Sequence, residues 1–149
     1  MDFSNTSDVL AAIAIVVSLV SAAYQWYLDT RMNKINLEAD YFKTLYSEHL
    51  LYKLPKARAC MRFSNGKLTD IDRILDELNA IRQDSLYFMF ADNDFYTDIK
   101  IELRALEDYL VEEGERVLSQ EEQEKVWEII QIKLETIYKV FNCKYTGQS

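Results

Sequence analysis

From Val9 to Leu28 the chain reads VLAAIAIVVSLVSAAYQWYL, twenty positions with no charge, proline or glycine. At the rise of an α-helix this run covers about 30 Å, the thickness of a bilayer's hydrocarbon core. Ser18, Ser21 and Gln25 are too few to make the polar face that a core helix of a small soluble domain carries. The pattern therefore predicts a transmembrane helix over 9–28, after a short extracytoplasmic segment over 1–8. A cleaved signal peptide fits less well. Ser21-Ala22-Ala23 is a tolerable cleavage site, but the leader holds Asp2 and Asp8 where a basic region belongs.

Beyond Leu28 apolar positions recur every three or four residues, and only three Gly and one Pro punctuate the whole chain. A juxtamembrane helical stalk is expected over 29–54, with Ile35, Phe42, Leu45, Tyr46, His49 and Tyr52 on one face, until Pro55 interrupts it. A cytoplasmic helical bundle is expected over 55–149. Its first helix would run from Lys56 to Phe63 and end at the Ser64-Asn65-Gly66 turn. Thr69 and Asp72 resemble a capping box opening the next helix, whose face is Ile71, Ile74, Leu75, Leu78, Ile81, Leu86, Met89 and Phe90. Asp92-Asn93-Asp94 separates it from a helix over Phe95 to Glu113, with Ile99, Leu103, Leu106 and Leu110 in register and Gly114 closing it. Ser119 and Glu122 form a second capping box. It opens a helix that buries Val126, Trp127, Ile130, Leu134, Ile137, Tyr138 and Phe141, and the tail from Asn142 is expected to fray. The fold class is thus all-α, one membrane helix running stiffly into a bundle.

Charge sets the orientation. No basic residue precedes the span, whereas Arg31 and Lys34 follow it, so the C-terminal side belongs in the cytoplasm. Tyr24, Trp26 and Tyr27 gather at the same end, at headgroup level. On that reading Cys60 and Cys143 stay reduced and are expected to be buried packing residues. The net charge of −8 hides a split. Residues 31–67 hold eight Lys/Arg against three Asp/Glu, and residues 68–149 hold nine against nineteen. A basic patch of Lys53, Lys56, Arg58, Arg62 and Lys67 faces either an anionic leaflet or an acidic face of another copy. The acidic field of the rest argues against nucleic acid as a partner.

The span itself has a face. Ala14, Ser18 and Ala22 follow at spacings of four, with Ser21 and Gln25 beside them. Small residues so placed let helices approach closely in lipid, and an amide in hydrocarbon seeks a partner or water. Homo-oligomerisation through this stripe follows, either as a tight dimer or as a ring whose lumen takes Ser18, Ser21 and Gln25. Chemistry is thinly represented. His49 is the only histidine, no phosphate loop or metal-ligand spacing occurs, and no cofactor or metal is expected.

A short span leading into an all-helical acidic domain resembles the small membrane-anchored accessory proteins of type VI-B CRISPR systems and related bacterial defence effectors. The resemblance implies an oligomeric protein of the bacterial inner membrane that compromises that membrane on infection, beside an RNA-guided nuclease. It also implies a HEPN-like bundle, whose ribonuclease motif sets an Arg a few residues before a His. Here Lys43, Thr44 and Leu45 approach His49 and none is Arg. The chain is therefore expected to be a non-enzymatic oligomeric membrane effector, a pore that perturbs the membrane during anti-phage defence. The alternatives are a tether whose head binds a cytoplasmic protein, and a membrane-bound ribonuclease using His49.

Overall fold

The computed structural model describes residues 3–146, with side chains from Val9 onward. Residues 1–2 and the last three residues lie outside it. Contacts divide the chain into two compact units, Met1–Asp40 and Tyr41–Ser149. The protein is mostly helical, and one N-terminal helix is long and apolar enough to cross a membrane.

Helix α1 spans Phe3–Thr44. Every side chain from Val9 to Leu28 is exposed, so the chain itself covers none of the apolar run. The second unit opposes this with a continuous core, to which each of its elements contributes. Leu45–Lys53 is a π-helix and α2, Leu54–Cys60, follows it directly. Helix α3 is Asp72–Asp84, a 3-10 turn spans Ser85–Tyr87, and α4 is Phe88–Ala91. The two long helices are α5, Asn93–Glu115, and α6, Gln120–Thr146. Ile74, Leu78 and Ile81 of α3 are buried in one core with Ile99, Leu103, Leu106 and Leu110 of α5 and Ile130, Leu134 and Ile137 of α6. At one end Phe88, Phe95 and Phe141 meet edge to face, with centroids 5.0 and 5.4 Å apart, an arrangement that adds to simple burial.

Several expectations need correction. Pro55 does not interrupt the stalk. It sits in the first turn of α2, where a missing N–H is tolerated. The turn before it is already wound with i to i−5 bonds, Leu54 N–H donating to the His49 carbonyl. In that pattern residue 55 would have donated to the Leu50 carbonyl, and proline has no N–H to give. The Tyr138 hydroxyl of α6 donates to it instead. The stalk segment from Leu45 onward is thereby part of the bundle, with Leu45, His49, Leu50 and Leu54 buried and Tyr52 exposed.

The helix expected over Lys56 to Phe63 ends at Cys60, and a hairpin follows. Strands β1, Arg62–Ser64, and β2, Lys67–Thr69, pair antiparallel with Phe63 opposite Leu68. Asn65 and Gly66 have φ of 51° and 78°, the two left-handed residues that a two-residue hairpin loop demands. A Cβ on Gly66 would also lie 3.0 Å from the Leu118 carbonyl oxygen. Thr69 therefore belongs to β2, its hydroxyl donating to the Arg62 carbonyl at 3.1 Å, and α3 begins without the expected box.

The 3-10 turn shifts the phase after Asp84. Leu86, Met89 and Phe90 point outward, Phe90 at 86 % exposure, and Phe88 takes the core position. Helix α5 is longer than expected at both ends and carries Gly114 within its last turn. The segment from Asn142 stays helical to Thr146, held by Tyr46 to Asn142 at 3.1 Å and Lys144 to Asp92 at 2.7 Å. Neither cysteine is buried. Cys60 is half-exposed beside Arg73, and Cys143 is exposed.

Candidate functional site

The residues predicted to matter fall into three places. On α1 the small and polar residues form one stripe. At 100° per residue Ala14, Ser18, Ser21, Ala22 and Gln25 lie within an arc of about 100°. All five are exposed. The Ser18 hydroxyl donates to the Ala14 carbonyl at 2.8 Å, so its donor is already used within the helix. Gln25 has no hydrogen-bond partner for its amide among the described residues. Tyr24, Trp26 and Tyr27 are exposed around the end of the span, with Arg31 and Lys34 one and two turns beyond.

The second place surrounds His49. The π-helix turns its imidazole inward to 1 % exposure, between two acids of α3. Nδ1 lies 2.6 Å from Glu77 Oε1 and Nε2 lies 2.9 Å from Asp84 Oδ2. Glu77 and Asp84 are seven residues apart, two helical turns, so they share one face of α3. Each ring nitrogen thus has a carboxylate oxygen within hydrogen-bond distance, and the imidazole bridges the π-helix to α3 as a polar clamp. The sequence reading singled out His49 and missed both partners; acids at i and i+7 within an otherwise amphipathic helix were the available sign.

The third place is the basic patch, which the fold divides. Lys53 pairs with Glu48 at 3.5 Å and Arg62 with Asp70 at 2.7 Å. Lys56 lies over the Tyr52 ring at 5.6 Å, and Lys67 is exposed on the hairpin. Arg58 goes elsewhere. Its guanidinium stacks on the Trp127 indole of α6 at 3.9 Å, and Phe63 meets the same indole edge to face at 5.3 Å. Burial lowers the Arg58 pKa, because no carboxylate stands against its charge to offset lost hydration. Trp127 and Tyr138 were expected only as core residues of α6.

Two further groups show the helix termini at work. The Asp92 carboxylate caps α5 by accepting from Phe95 N–H at 3.1 Å, and the Lys144 hydrogen bond holds it below the usual carboxylate range. The Ser119–Glu122 box forms as expected, Ser119 N–H donating to Glu122 at 2.8 Å, and that bond lowers the Glu122 pKa. No group of three or more His, Cys, Asp and Glu side chains suited to a metal ion occurs among the described residues. No protein-family model matches the chain, and neither a curated protein nor a solved structure does.

Proposed function

We propose that this protein is a non-enzymatic effector of the bacterial inner membrane that works as a homo-oligomer. The N-terminus lies outside, the helical head lies in the cytoplasm, and copies associate through the Ala14, Ser18 and Ala22 face. One observation carries the reading: a hydrocarbon-length helix left wholly uncovered by its own chain, with the unpartnered Gln25 amide in the same narrow stripe as its small residues. Lipid satisfies the apolar side of such a helix, and only water or another helix satisfies Gln25. A ring that turns Ser18, Ser21 and Gln25 to a wet lumen would perturb the membrane, as an anti-phage effector does.

The test is the mass of the detergent-solubilised particle together with dye leakage from liposomes. Six or more copies, with Ser18→Leu or Gln25→Leu changing both copy number and leakage, supports the effector. A monomer or dimer without leakage overturns it in favour of a tether. That second reading has its own support in the exposed Leu86, Met89 and Phe90, an apolar surface on the head suited to a cytoplasmic protein. The ribonuclease reading loses support from His49, whose two nitrogens already face carboxylates.

A further inference from the structure

The walls of one cavity come from α2 and α6, and its volume is about 200 Å³. Leu54, Pro55 and Leu134 make its apolar lining, and Arg58, Gln131 and Glu135 its polar one. Two charges of opposite sign thus share a small cleft, yet neither makes an ion pair among the described residues. Glu135 accepts only from Gln131, at 3.2 Å. Arg58 is held flat by Trp127, and its Nε is buried with no acceptor. An unneutralised, half-buried guanidinium is costly, and stacking on an indole offsets only part of that cost. Elsewhere in the same basic block Lys53 and Arg62 are neutralised by neighbouring acids. Arg58 is the one kept rigid, planar and without an anion.

We propose that this cavity binds a small aliphatic zwitterion, its carboxylate on the Arg58 guanidinium and its ammonium toward Glu135. A cavity lined by one arginine, one glutamate and apolar Leu54, Pro55 and Leu134 matches a molecule that carries both charges on a short hydrocarbon body. The cavity's volume lies below the roughly 300 Å³ at which drug-sized pockets begin, which favours a small ligand. A planar guanidinium also suits a carboxylate better than an ammonium would, since it can offer two parallel N–H donors.

Trp127 reports on the site through its stack on Arg58, and Trp26 is the only other tryptophan. The experiment follows Trp127 emission of the full chain in detergent, in a Trp26→Phe background, while L-leucine, L-valine or γ-aminobutyrate is added. Acetate and methylamine serve as half-ligands. A saturable change with at least one zwitterion is expected, weakened about tenfold or more by Glu135→Gln and by Arg58→Lys, with both half-ligands about tenfold weaker again. Glu135 is exposed, so its substitution leaves the fold intact and keeps the test decisive should Arg58→Lys lower stability. No saturable change up to about 10 mM with any of the three zwitterions overturns the proposal. So does acetate binding as tightly as the zwitterions, or Glu135→Gln binding like the parent.

Discussion

Residues 9–28 and residues 41–146 are both rich in Leu, Ile, Val and aromatic side chains, and the fold treats them in opposite ways. In the first stretch every side chain is exposed. In the second, Leu50, Ile74, Leu78, Leu106, Leu110 and Phe141 are closed off completely. The first stretch holds no charged residue, whereas the second sets Asp, Glu, Lys and Arg between its apolar positions. An apolar run without a polar face cannot bury itself against one neighbour and leave its other side in water. The head helices alternate with a period near 3.6, so each can do both. Water drives the assembly of the head, whereas the N-terminal helix is long and apolar enough to cross a membrane.

That contrast can be broken from either side. The largest effect is expected from placing two arginines in the span, Val16→Arg with Val20→Arg. Each costs about 2.5–3.5 kcal/mol at a helix centre, so about 5–7 together, and the chain should leave the membrane fraction on carbonate extraction. The head's unfolding midpoint should stay unchanged. Phe141→Ala should do the reverse, costing the head about 3–5 kcal/mol in urea unfolding with membrane retention intact. His49→Ala comes next, because it leaves Glu77 of α3 facing the π-helix without its imidazole partner. A loss of about 3 kcal/mol is expected from leaving a buried charge without its partner, and a loss below 1 kcal/mol would show that the clamp adds little.

Smaller changes sharpen the picture of the head. Gly66→Ala combines a positive φ with the close Leu118 carbonyl, and should cost about 1 kcal/mol or more, read as a lower thermal midpoint. Asp92 gives the smallest effect and a pH signature. Its carboxyl is held below its ordinary value by Lys144, so its contribution is complete above about pH 4 and fades as the pH falls through the lowered value. Asp92→Asn keeps a capping side chain and loses the ion pair. It should cost no more than about 1 kcal/mol near neutrality and flatten the acid limb of the stability curve.

Local sequence was informative where one element's signal was self-contained. The long apolar N-terminal helix needed only its length and lack of charge. The capping box of α6 needed only Ser119 and Glu122, and the buried faces of α5 and α6 needed only their period. Asn65-Gly66 was also legible as a hairpin loop, since paired left-handed residues favour that turn, but without a partner strand in view it reads equally well as a helix stop. Other outcomes rested on residues far apart in the chain. Pro55 stays within a helical path because Tyr138, 83 positions later, supplies the donor that Leu50 would otherwise lack. His49 is a clamp because α3 brings Glu77 and Asp84 to its two nitrogens, and Arg58 leaves the basic patch because Trp127 offers it a flat surface. Solvent preference and helical period are properties of neighbouring residues, so they can be read along one strand of text. Which donor meets which acceptor depends on how helices cross, and that crossing is chosen by the packing of the whole core at once.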